Sequence, residues 1–523
     1  MPLNVGLLNL PCLMARKTLS YFEGAPPLGL AYIAGSLRAA GYTPVVLDAL
    51  GEGCDRYSLF PSLKGDLLVQ GYGIDDIVDR LPEGLDVLGI GHLFLHELRF
   101  LQALLPRLKA RFPDTAIVLG GETATGMWDE LLRMLPEVTA CILGEGEQAF
   151  LALLRSWERG TGLAQVSSLA YRVDGVPRQN ARAARARDID AIPWPAWDLF
   201  PVERYLEAGI RSGVNRGRSM PLLTSRGCPF TCAFCSAPTM WGTTYVGRDP
   251  AMLLDEIESL MRRYQVTNFD LRDLSAALSK GWIRRFHAEV MSRGARFTWQ
   301  IPQGTRSESL DGESLRLMYE AGCRNFGYAL ESTSPAVITR MRKKVVPARL
   351  MASVREALRL PLHVEIFFII GYPGETTADH LSYLRAIVRL AWMGAQALSV
   401  MQFNPYPGSA DFFRLRDEGR IDFADDDYVY SSLFRTTGQS PSVQSHFSTR
   451  HLVVFQYLCL VLFWGLQFLF RPWRLARLVW NLLNVREETI LEQFLVVKTR
   501  QWLRLRGKRQ APPPLAHELP TAP

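Results

Sequence analysis

Thr224-Ser-Arg-Gly-Cys228-Pro-Phe-Thr-Cys232-Ala-Phe-Cys235 follows a strand-like run and sets three cysteines on one loop. The gaps between them are three residues and then two. Soft sulfur ligands so closely grouped suit an iron–sulfur cluster. Three ligands rather than four leave one iron of a four-iron cluster free to hold a substrate. Two rivals stand beside this reading. One is three unrelated buried thiols. The other is a zinc site, for which no His or fourth Cys lies near enough in sequence to complete a tetrahedron.

From the run before the loop onward the pattern predicts strands over Leu222–Ser225, Asn268–Leu271, Phe297–Ile301, Asn325–Leu330, Val364–Ile370 and Ala397–Phe403. Helical stretches near 250–264, 280–293, 312–321, 347–359 and 376–392 separate them. Six such repeats predict a partial (β/α)6 barrel with active residues at the carboxyl ends of its strands. Upstream, residues 1–157 read the same way. Strands are expected at Val5–Leu10, Pro44–Leu47, Val87–Ile90, Ala116–Leu119 and Cys141–Leu143, with helices between them. That alternation predicts an open parallel sheet of Rossmann-like type, whose ligands lie beyond the strands' carboxyl ends. Residues 158–219 read as a connector with a hairpin turning at Asp174-Gly175. The fold class is therefore α/β: an open-sheet domain over 1–157, the linker 158–219, a barrel over 220–429, a helical region over 430–510 and a disordered tail over 511–523.

Composition fits this plan. The chain has 523 residues, 48% hydrophobic and 21% charged, enough for two to four domains with real cores. Its net charge is +7, and nearly all of that excess lies in residues 471–523. A neutral body with a basic tail is not a nucleic-acid groove. Eight cysteines in a chain of this length are no disulfide framework. The first ten residues lack a cationic segment and a cleavage site, so a cytoplasmic enzyme is expected.

With Phe234 before the last cysteine, the loop resembles that of the radical S-adenosylmethionine superfamily. The resemblance implies a [4Fe–4S] cluster on Cys228, Cys232 and Cys235. Its open iron would chelate S-adenosylmethionine, and one electron would release a 5′-deoxyadenosyl radical that abstracts hydrogen. Gly327-Tyr-Ala-Leu330-Glu331-Ser332 is similar to the family's strand-end Glu-Ser. Gly371-Tyr372-Pro373-Gly374-Glu375-Thr376 is similar to its turn near the adenine. Arg306 stands where relatives have a cation near the cofactor carboxylate. Of the Asp-Asp pair common after the second strand, only Asp273 matches.

An open sheet before such a barrel resembles the cobalamin-binding subclass. Pro26–Ile33, the Gly120-Gly121-Glu122-Thr123 loop and the Gly144-Glu145 loop are similar to that subclass's strand-end loops. The Asp-x-His-x-x-Gly cobalt-ligating motif is absent, as in relatives that bind cobalamin base-off. His92 and His96 read as ordinary loop or core histidines. The expected activity is cobalamin-dependent methyl transfer to an unactivated carbon. Cyclisation, rearrangement or oxidation by the same cofactors is the alternative. A non-catalytic, membrane-associated redox or cobalamin sensor is a second one. An external electron donor such as flavodoxin or ferredoxin is implied.

Leu452–Phe470 runs without a charge, long enough to cross a bilayer as a helix. Residues 471–483 are amphipathic, with Trp473 and Trp480 set as interface anchors. A full span, a monotopic hairpin in the inner leaflet and a buried helix are the three readings. The basic tail opposes the first. The other two both point to an apolar or lipid-like small-molecule substrate, and the hairpin would bring residues 452–483 into contact with the inner face of the membrane.

Overall fold

The computed structural model describes residues 2–15, 24–62, 67–306, 310–434, 446–484 and 486–507, with backbone only beyond Thr499. The tail expected over 511–523 lies outside the described residues.

A seven-stranded sheet forms the N-terminal half, in the order Val176–Gln179, Leu169–Val173, Val138–Ile142, Ala116–Gly120, Val87–Gly91, Val5–Asn9, Val45–Asp48. The last five are parallel. Their residues are apolar and mostly buried, as expected for strands covered on both faces by helices such as Leu28–Ala39 and Leu98–Arg111. The hairpin read as part of a connector instead extends this sheet. Leu169–Val173 pairs antiparallel with Val138–Ile142, because Leu169 and Ala170 are fully buried against it. A second, three-stranded antiparallel sheet (Cys12–Ala15, Leu67–Gln70, Tyr57–Phe60) is new relative to the sequence reading.

The second half is a six-stranded parallel sheet in sequential order: Ser219–Leu222, Asn268–Leu271, Thr298–Thr305, Cys323–Glu331, His363–Ile370, Ala397–Gln402. Sequential order with a helix between each pair of strands is an open, partial barrel. Its first strand ends at Leu222, three residues short of the expected Ser225, and the reason is chemical. The Thr224 amide donates to Asp273 instead of to a neighbouring strand. Ser225–Arg226 then makes its own short antiparallel pair with Val246–Gly247.

Thr449–Phe470 is one helix, long and apolar enough to cross a membrane. Here it lies along the barrel's last strand and the helix Thr377–Met393. Leu452, Phe455, Cys459 and Phe463 form its buried stripe. The two glutamines in the run have defined partners. Gln456 donates to the Val400 carbonyl at 2.6 Å and Gln467 to the Ala395 carbonyl at 2.8 Å.

Candidate active site

The carboxyl ends of the two parallel sheets face each other across a cavity of about 550 Å³. From the first sheet come Asn9, Gly91, Gly120, Gly121, Gly144 and Glu145. From the barrel side come Leu223, Arg226, Trp241, Arg272 and Gln303. Gly121 needs its lack of a side chain: at φ 114° a Cβ would sit 2.7 Å from the His92 carbonyl. At Gly120 the same position is open space. Thr123 turns away from the cavity and donates to the Leu93 carbonyl, while Thr125 accepts from the Gly144 amide and ties two loops together.

Arg226 joins the halves. Two residues before Cys228, it donates to Glu147 at 2.6 Å and to Glu145 at 3.3 Å, and its guanidinium lies 4.9 Å from the centre of the Tyr32 ring. Arg226 and Glu147 are both buried. Arg185 adds a second bond to Glu145. Ser236, just after the last cysteine, donates to Glu122. The cysteine loop is thus held by acids of the first sheet's glycine loops.

All three loop cysteines are free and partly exposed. Gly227 opens the turn at φ 85°, where a Cβ would strike the Thr244 carbonyl. Cys228 Sγ is 3.3 Å from Ser275 Oγ, and Arg306 donates to Cys232 Sγ at 3.8 Å while stacking 3.8 Å above the Phe230 ring. Burial pushes the Cys235 thiol up to about 12, and its two neighbouring cysteines add to the effect. Among the described residues no three His, Cys, Asp or Glu side chains converge on a single metal-ion site, so the loop's suitability for a cluster rests on three free thiols at this spacing, with Arg306 beside one of them.

Glu331 closes its strand in the left-handed region at φ 61°, with its carboxylate buried. Lys343 Nζ donates to it at 2.8 Å, a partner that sequence reading missed. Ser332 Oγ lies 2.8 Å from the Tyr383 hydroxyl, to which it donates while that hydroxyl donates to Glu375. Glu375 points inward. Its carboxylate accepts from the Gly371 amide, from Tyr383 at 2.7 Å and from His380 at 3.2 Å, which braces the turn carrying Pro373 and Gly374. The Gly374 carbonyl accepts from Arg340. Asp273 is likewise turned inward, onto the Thr224 amide and the Thr224 and Ser225 hydroxyls.

His92 is fully buried behind the cavity and His96 lines it. Burial holds their pKa values down to about 3 and about 4. Beside them burial lifts Glu97 to about 8, against amide bonds from Leu93 and Phe94.

Residues 20–154 match the B12 binding domain and residues 222–387 the Radical SAM superfamily. An uncharacterised methyltransferase of Pyrococcus horikoshii is 26% identical over 73% of this chain and 77% of its own. The cytidylyl-2-hydroxyethylphosphonate methyltransferase of Streptomyces wedmorensis is 30% identical, with 66% of this chain and 69% of its own covered. An anaerobic magnesium-protoporphyrin IX monomethyl ester cyclase of Cereibacter sphaeroides is 26% identical over 76% of this chain and 61% of its own. The fold matches that of the radical S-adenosylmethionine methyltransferase TsrM of Kitasatospora setae, solved with cobalamin and a [4Fe-4S] cluster bound. The TM-score is 0.60 at 15% identity, over 80% of this chain and 75% of that one.

Proposed function

The chain belongs to the radical S-adenosylmethionine enzymes that carry an N-terminal B12-binding domain, and from that premise we propose that it methylates an unactivated carbon of an apolar or natural-product-like small molecule. Its cofactors are a [4Fe–4S] cluster, S-adenosylmethionine and cobalamin. When bound, the cluster and S-adenosylmethionine supply a hydrogen-abstracting radical, and cobalamin supplies the methyl group.

The observation that carries this reading is the shared cavity, since both sheets' carboxyl ends open onto one space. Cys228, Cys232 and Cys235 hold the cluster. Arg306 sets a cation beside Cys232, and Lys343 neutralises the buried Glu331. Glu331, Ser332 and the Gly371–Glu375 turn shape the place of S-adenosylmethionine. Glu375 and Asp273 act at one remove, by fixing the turn and the start of the cysteine loop. Gly120, Gly121, Gly144 and Glu145 form the floor on the cobalamin side. The Arg226–Glu147 pair closes the seam between the halves, which keeps water from the reacting carbon.

The same reading takes electrons from a flavodoxin or ferredoxin, keeps the body on the cytoplasmic side and brings residues 452–483 to the inner face of the membrane. Cyclisation is the second outcome, favoured by the likeness to the cyclase. The sensor alternative finds no counterpart among the relatives named above. Product analysis with methyl-labelled S-adenosylmethionine separates the enzymatic outcomes. Label in the product carbon skeleton is expected; a substrate-derived product without label would replace methyl transfer with cyclisation, rearrangement or oxidation.

A further inference from the structure

The helix Pro472–Leu483 is built inside out. The one side chain it buries is Asn481, which donates to Glu492 at 2.8 Å. Arg474 also points inward, bonding the Gly394 and Ala395 carbonyls and the Gln467 amide oxygen. Its apolar residues face out, with Trp473 64% exposed, Trp480 60% and Leu483 77%. An amphipathic helix normally turns that stripe to the core.

Two neighbours extend the face. Thr449–Phe470 exposes Val454, Leu458, Val461 and Leu469 opposite its buried stripe. Thr377–Met393 exposes Leu381, Val388 and Trp392, and the Trp392 ring meets the Phe470 ring edge-on at 5.1 Å. Exposed apolar side chains thus sit on three helices packed in series, the kind of surface that marks an interaction site.

Charge identifies what covers it. No Asp or Glu occurs from His380 to Ala410 or from Tyr428 to Arg486. Arg385 and Arg389 are exposed in the same helical stripe as Leu381, Val388 and Trp392. Arg471 donates to the Ala391 and Trp392 carbonyls, and Arg450 is exposed at the other end of the long helix. Glu488, which accepts from the exposed Arg477 at 2.7 Å, is the acid that meets this rim. Tryptophans at the margin, an apolar face and the cations Arg385, Arg389 and Arg450 match the boundary of an anionic bilayer.

We infer that these three helices dock flat on an anionic phospholipid surface, with Trp392, Trp473 and Trp480 at headgroup depth and no helix crossing. The barrel-facing stripe of the long helix stays bonded to strand and helix backbone through Gln456 and Gln467. The first turn of that helix also meets the Glu375 turn, His451 Nε2 lying 3.3 Å from His380 Nδ1. The helix that carries part of the docked face therefore borders the Glu375 turn at its first turn, through His380, which lies 3.2 Å from Glu375. This deepens the proposed reading and rests on it for the apolar substrate such a surface would supply.

The test uses the full reconstituted chain with phosphatidylcholine vesicles, with and without phosphatidylglycerol. Expected is co-sedimentation with the anionic vesicles alone, reversed by high salt. The pairs Trp473→Ser/Trp480→Ser and Arg385→Glu/Arg389→Glu should each weaken partitioning by about tenfold or more, with unchanged circular dichroism. Absence of vesicle binding would overturn the inference. So would a concentration-dependent dimer abolished by Trp480→Ser, because a second copy would then own the face. Binding that survives alkaline carbonate and both variant pairs would overturn it in favour of insertion. Release of 5′-deoxyadenosine is read in parallel. Its loss with vesicle binding intact would sink the enzymatic reading and leave the docking supported.

Discussion

Asp273 shows how a residue can serve the site without touching it. Its carboxylate is buried and takes bonds from one amide and two hydroxyls at the start of the cysteine loop. Asp273→Ala should therefore cost about 3 kcal/mol, since three buried donors lose their acceptor. Iron and sulfide retained after reconstitution should fall several-fold while far-UV circular dichroism is kept. Full retention would show that the loop holds its shape unaided. His363 offers a pH test. It is buried at the start of its strand, and burial, with repulsion from Arg216 and Arg474, holds it down to about 3. The folded state refuses a proton that the unfolded chain accepts near 6.5. Its contribution is thus intact above that pH and is lost as pH falls towards 3. Relative to His363→Gln, the wild-type chain should lose about 1.4 kcal/mol per pH unit below 6 in denaturant unfolding. A pH-independent gap would mean the imidazole is not excluded from protonation. The sequence named Asp273, Glu331 and Glu375. It gave no sign of Lys343, Tyr383 or His380, because their partners are brought in from other turns and helices by the fold.

Among elements, the βα repeats were legible because each strand is a short apolar run and each helix carries its own apolar stripe. The strands Tyr57–Phe60 and Leu67–Gln70 were missed. Each has four residues, and the outer one shows no buried alternation. The hairpin turn at Asp174-Gly175 was visible, but its attachment to the first sheet depends on a pairing that no local pattern carries. The joint between the halves was also invisible, since Arg226 and Glu147 are far apart in the chain. Removing only the cation strands buried carboxylates, so Arg226→Met should cost about 3–5 kcal/mol. The double variant Arg226→Met/Glu147→Gln should recover part of that loss in a denaturant cycle. Strict additivity would show that the pair does not couple the cysteine loop to the first sheet.

Over the whole molecule, the carboxyl ends of the two parallel sheets border one cavity, lined on the barrel side by Leu223, Arg226, Arg272 and Gln303, with the cysteine loop beginning at its edge. The sequence carried both sheets and the glycine loops that line that cavity, because glycines after a strand declare themselves locally. It did not carry the cavity's closure or the outward turn of Pro472–Leu483, which follow only once distant segments are packed. The direct test is an anaerobic absorption spectrum of the full chain reconstituted with iron, sulfide and hydroxocobalamin and then desalted. One equivalent of cobalamin retained beside the cluster is the predicted result. A cluster without retained cobalamin would contradict the account.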